Sequence, residues 1–130
     1  MVGKLYKFDP EIFPLKIWVC MKPDLKKMAA TFDIMDDDYR GWHEWGDDEI
    51  EPYWGACRIT VREKKTGDTG CLLMYIVMSE FTPGQVAHEV SHAYDDFVAM
   101  LKVEAVGETR AYVTEWMVDK VWDIKTGKIK

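Results

Sequence analysis

The chain has little with which to hold nucleic acid, cross a membrane or staple itself. Lys and Arg number 17 against 23 Asp and Glu, a net charge of −6, and no basic stripe is available to neutralise phosphates. Nucleic acid is therefore not an expected partner. No apolar run approaches the ~20 residues that a membrane-spanning helix needs, so no membrane partner is expected either. Cysteine is scarce: Cys20, Cys57 and Cys71 are scattered, form no C-x-x-C pair and adjoin no histidine. Such an odd set fits reduced, buried thiols rather than a disulfide framework or a nucleophile. The opening residues, 1–10, carry no apolar signal-peptide core, and the expected location is the cytoplasm. The sequence also lacks an internal repeat, a low-complexity segment, a phosphate loop and a Ser-His-Asp set.

What is present suffices for one domain, residues 1–130, with 48% hydrophobic and 31% charged residues and a core of ordinary size. The acidity is local. Residues 33–53 hold nine carboxylates and one Arg, about −8, so the remainder of the chain is about +2. This stretch reads as a solvated acidic loop. The sharper alternative is a lid in which Trp42, Trp45 and Tyr53 pack and the acids select a basic substrate. The D-x-D-x-D-G spacing of a calcium loop is absent.

Histidine is as scarce as cysteine, three residues, yet two of them fall in His88-Glu89-Val90-Ser91-His92. The surrounding stretch predicts a helix over 83–101. Thr82 is suited to be its N-cap, Pro83 to its first position and Gln85 to a capping box. Val86, Val90, Tyr94, Phe97, Val98 and Leu101 recur at three- and four-residue steps. Residues four apart on a helix lie one above the other, so His88 and His92 point the same way and can share one cation. Neutral imidazole is a good zinc ligand, and one zinc per chain is expected. Glu89 flanks the same face, where it can take a proton from a water activated by the metal. H-E-x-x-H on a helix is the metallopeptidase arrangement. A chance pattern on a polar helix surface is the bland reading.

A catalytic zinc usually takes three protein ligands. Candidates are Asp95, Asp96, Glu104, Glu108, Glu115 and Asp119, with His43 a remote one. Asp95 and Asp96 continue the same helix and suit hydrogen bonding to His92 better than direct ligation. Glu108 opens a second helical pattern through Trp122. A tight reversal near Val103 would bring position 116 level with the histidines and favour Glu115. An extended return over 102–107 would bring Glu108 there instead. Val103, Val106 and Gly107 suit the extended return, so Glu108 is preferred and Glu115 is second.

His88-Glu89-x-x-His92 with a glutamate on the next helix resembles the gluzincin branch of zinc metallopeptidases. More narrowly, H-E-V-S-H-A-Y-D-D-F followed by G-E-T-R-A-Y-V-T-E-W resembles small uncharacterised zincin-like proteins of phages and prophages, mainly over residues 70–122. The resemblance implies Glu108, in Glu108-Thr109-Arg110-Ala111-Tyr112, as third ligand. It also implies an edge strand beside the metal that binds the substrate backbone; strands 55–62 and 14–21 are candidates.

The expected fold is α+β and zincin-like, a small, mostly antiparallel sheet on the H-E-x-x-H helix and a second C-terminal helix. Strands are predicted over 4–8 and 14–21, a short helix over 24–32, a hairpin from 54–62 and 70–79, and a polar, frayed tail over 124–130. The second hairpin strand is apolar throughout, so both its faces should be covered. The expected function is zinc-dependent hydrolysis of a peptide bond in a peptide or protein substrate. Glu89 serves as base, and Tyr112 or Tyr94 as donor to the oxyanion. The alternatives are a zincin-like binding protein without catalysis, using the acidic loop or a sheet edge, and a metal hydrolase acting on another bond.

Overall fold

The computed structural model describes residues 3–11, 14–38, 40–46, 49–51, 54–101 and 107–129, with side chains in the last stretch from Thr109 onward. Among the described residues ten elements follow one another: β1 (Leu5–Phe8), β2 (Lys16–Met21), α1 (Leu25–Thr31), β3 (Phe32–Met35), β4 (Trp42–Glu44), β5 (Ala56–Glu63), β6 (Thr69–Tyr75), a 3-10 turn (Met78–Glu80), α2 (Pro83–Leu101) and α3 (Gly107–Lys125). The strands form one sheet in the order β1-β2-β6-β5-β3-β4. β2 and β6 run parallel, and every other neighbouring pair is antiparallel. The α+β expectation therefore holds. No helix among the described residues is long and apolar enough to cross a membrane.

Successive side chains of a strand point to opposite faces, and the two central strands are apolar on both. Ile17, Val19, Met21, Leu73 and Tyr75 face one core together with Val86, Val90, Phe97, Val113 and Met117 of the long helices. Trp18, Leu72, Met74 and Val61 face a second core with Met28, Phe32, Trp45 and Ile50. The uninterrupted apolar run of β6 is thus explained as expected, by cover on both sides. Burying each of these large side chains contributes about 1.5–3 kcal/mol.

α2 and α3 lie antiparallel across the first core. At one end Arg110 donates to Asp95 Oδ1 (2.8 Å) and to Ser91 Oγ (3.3 Å). At the other end Phe81, just before α2, stacks on Trp122 at 5.7 Å.

Three expectations are corrected. The short helix ends at Thr31, not Phe32, because Phe32 turns into the sheet and meets Trp18 edge-on at 5.1 Å. The acidic segment is not simply a loop: it supplies β3 and β4, and Trp45 and Ile50 are buried in the second core. Trp42 is half-buried with the Arg62 guanidinium over its ring (5.2 Å), whereas Tyr53 lies outside the described residues. The tail is tied down rather than frayed. α3 continues to Lys125, Ile124 is buried, the Lys128 N–H donates to the Asp123 carbonyl (2.8 Å), and Ile129 packs on the first core.

Candidate metal centre

α2 begins as its sequence dictates. The Thr82 hydroxyl accepts from the Gln85 N–H at 3.1 Å, and the Thr82 carbonyl accepts from the Val86 N–H at 3.1 Å. The Gln85 side chain reaches Gly55 at the start of β5. A Cβ added to Gly55 would lie 2.9 Å from Gln85 Nε2 and 2.8 Å from Glu80 Oε2. The start of the helix thus packs closely against the residue that leads into β5.

Two stripes run along α2. Val86, Val90, Ala93, Tyr94 and Phe97 are buried in the core. Gln85, Glu89, His92 and Asp96, at steps of four, three and four, form a polar seam turned toward β5. Glu89 and Asp96 are buried on it, and His88 stands outward and exposed. The rings of His88 and His92 meet edge-to-face with centroids 4.7 Å apart. Two imidazoles so placed, one helical turn apart, can share a zinc ion. Among the described residues, no group of three His, Cys, Asp or Glu side chains is placed to hold a metal ion.

The third-ligand candidates divide as follows. The side chain of Glu108, in the first turn of α3, and all of Glu104 lie outside the described residues, as does the return path 102–106. Glu115 is described and exposed. With Arg110 at the level of Ser91 and Asp95, backbone position 115 lies about 7.5 Å further toward the start of α2, and position 108 about 3 Å the other way. Asp95 and Asp96 part company: Asp95 is exposed and taken by Arg110, while Asp96 faces Arg58 of β5, Oδ2 to Nε 3.5 Å. His43 is held by carboxylates on both ring nitrogens, Asp36 Oδ1 at 2.7 Å and Glu49 Oε1 at 3.2 Å. The Asp36 contact leads in raising its pKa, with Glu49 adding. Tyr94 is buried beneath the Arg110 guanidinium, 5.0 Å from its centroid. Tyr112 is 67% exposed and shares a shallow apolar pocket with Pro10, Val113 and Trp116.

Sequence spacing does not find the groups under Glu89. Tyr75 of β6 is fully buried, and its hydroxyl has no hydrogen-bond partner among the described residues. Burial pushes its pKa up, and the Glu89 charge adds to the effect. Burial likewise pushes the Cys57 thiol up to about 12, with Glu89 adding and Arg58 opposing. Cys20 is pushed up to about 11 by burial, and burial also pushes Cys71 well above its usual range. All three thiols are free, and burial keeps them protonated at neutral pH; Cys20 and Cys71 are buried as expected, whereas Cys57 is half-buried.

Neither of the two strands suggested as substrate edges is a complete edge. β2 lies between β1 and β6. β5 pairs with β6 along Ala56–Arg62 but with β3 only at Val61–Glu63. Glu63 bonds back across the hairpin to Asp68 (2.8 Å), while the Lys64 N–H turns to the Thr31 carbonyl (2.9 Å). Backbone groups alternate sides along a strand. Ala56, Arg58 and Thr60 therefore turn their N–H and C=O away from β6, where β3 offers them no ladder partner. β3 diverges at this point and leaves a cleft of about 230 Å³. Its floor includes Arg58 and Thr60, one wall is Asp96 of α2, and the other is Asp36 and His43 of the β3–β4 hairpin.

Asp96 gives a stability prediction. Burial raises its pKa, Arg58 and His92 opposing. A carboxyl whose folded pKa lies above its unfolded value holds its proton more tightly when folded. Stability is then lost as pH rises from the unfolded pKa through the folded one. Asp96→Asn should therefore raise the melting temperature at pH 7 by about 2–4 °C. That gain should vanish in scans run below both pKa values; a lower melting temperature at pH 7 would show that the Arg58 pair outweighs desolvation.

No family model, curated protein or solved structure matches this chain.

Proposed function

We propose that the chain is a zinc-dependent peptidase. The observation that carries this reading is the His88–His92 ring pair at 4.7 Å, with buried Glu89 beside it on the side of α2 that faces the half of β5 left without a second ladder partner among the described residues. His88 and His92 would hold the zinc, with Glu108 as third ligand and Glu115 second in order. When bound, zinc supplies polarisation of the scissile carbonyl and lowers the pKa of a water to about 7. Glu89 accepts the proton of the attacking water and passes it to the leaving amine. The substrate lies extended along β5, hydrogen-bonded to the backbone of Ala56, Arg58 and Thr60.

Metal content tests the proposal at its base. Protein purified without a histidine tag should contain about one zinc per chain, and His88→Ala should lose it. Glu108→Ala should weaken zinc more than Glu115→Ala does; the reverse order would transfer the ligand to Glu115. Plasma-emission spectroscopy after dialysis against limiting zinc reads all four proteins. No metal in the wild type, even with zinc supplied, would overturn the proposal in favour of a zincin-like binding protein.

A further inference from the structure

The peptidase reading leaves the choice of substrate open, and the cleft beside Asp96 bears on it. The cleft lies where β3 leaves β5, so a chain added to the free half of β5 must run along it. Such an added strand continues the sheet, and its side chains alternate between the two faces in step with those of β5. The side chain level with Arg58 and Thr60 then points to the α2 face, toward Asp96.

The charges there are unevenly matched. Asp36, Asp37, Glu49 and Asp96 line the cleft, against Arg58 and His43. His43 is occupied by Asp36 and Glu49. Asp96 is buried, its side chain 11% exposed. Its one ionic contact among the described residues is Arg58 Nε at 3.5 Å, and that nitrogen is itself without a hydrogen-bond partner among them. A carboxylate withdrawn from water normally accepts hydrogen bonds. Asp96 thus offers acceptor capacity in a recess bordered by further negative charge.

Resting on the peptidase reading, we infer that the cleft selects a lysine or arginine side chain of an extended peptide bound along β5, with Asp96 as its main acceptor and Asp37 at the mouth. A primary ammonium or a guanidinium supplies both the missing donors and the missing charge. An acidic side chain there would meet like charge, and a neutral one would leave Asp96 as it is.

The test uses Glu89→Gln protein, so that peptides are not consumed. The probes are short N-acetylated, C-amidated alanine peptides with one central lysine, arginine, norleucine or glutamate. Isothermal titration measures binding, and a free-amine version of the norleucine peptide shows whether a terminal ammonium serves as well. Lysine and arginine peptides should bind about tenfold more tightly than blocked norleucine. Asp96→Asn should remove most of that difference, and Asp37→Asn a smaller part, while affinity for norleucine stays unchanged. Equal affinities, no detectable binding, a preference that survives Asp96→Asn with Asp37→Asn, or a free amine that binds as well as lysine would each overturn the inference. His88→Ala separates it from the reading on which it rests. A lysine preference retained there, with no hydrolysis by wild type, would sustain the cleft and reject the peptidase; hydrolysis without a preference would do the opposite.

Discussion

Glu89→Gln is expected to retain zinc and to lower peptide hydrolysis by at least about a hundredfold, the lower range for removing a positioned general base. The substitution keeps the size of the side chain and replaces one oxygen by an NH2 group. The Glu89 carboxylate lies near Tyr75 and Cys57, whose pKa values its charge raises, and no salt bridge to Glu89 is among those formed by the described residues. Removing its charge therefore strands no buried cation, and the fold should persist. Exposed His88 and half-buried His92 meet each other edge-to-face and should still bind metal. The readings needed are zinc content, circular dichroism and turnover of a mixed peptide pool, compared with wild type. Retained zinc with undiminished turnover would remove Glu89 from the chemistry; loss of zinc would assign it a structural part instead.

The elements that sequence reasoning reads correctly are those whose signals are local. α2 is legible from end to end because Thr82, Pro83 and the three–four spacing of its apolar residues all lie within the helix or at its cap. The β5–β6 hairpin is legible because the polar turn at Lys64–Gly67 separates two runs of β-branched and apolar residues. β3 and β4 escape it for the opposite reason. Phe32 and Ile34 alternate with Asp33 and Met35, but the run is four residues long and enters three consecutive aspartates. What fixes it is distant: Phe32 against Trp18, and Asp33 against Arg62 at 3.0 Å. The tail is misread because its anchor is a single buried Ile124 and one apolar Ile129 set among lysines.

The candidate site divides along the same line. His88, Glu89 and His92 are fixed by helical periodicity and need no tertiary information. Asp96 is within reach of the same rule, being four residues beyond His92. Arg58, Tyr75 and the free half of β5 are not, because they depend on which strand lies under α2 and on where β3 ends its pairing. No spacing within the sequence encodes that register. The acidic segment gains a role by the same route: its charge is plain, but only the departure of β3 from β5 sets Asp36 and Asp37 across from Asp96.

Gly70→Ala should be the most damaging single change outside the proposed chemistry. Gly70 is the partner of Lys16 where β2 and β6 begin their parallel pairing, and a Cβ there would run into the Lys16 backbone carbonyl. Backbone cannot rotate aside as the end of a side chain can. β2 is also held on its other edge by β1 and covered on both faces. Glycine within a strand marks such close approaches. The expected loss is about 3 kcal/mol or more, a large share of the roughly 5–15 kcal/mol typical of a domain. The urea midpoint should fall steeply, and zinc retention with it, because Leu73 and Tyr75 form the floor beneath α2. Gly67→Ala is the contrast. Gly67 lies in the β5–β6 turn at φ +77° with no heavy atom near the added methyl, so its cost is the conformational one alone, about 1–2 kcal/mol. Equal midpoints for the two variants would mean that β2 does not approach β6 at Gly70, and the parallel register that sets α2 over β5 would have to be redrawn.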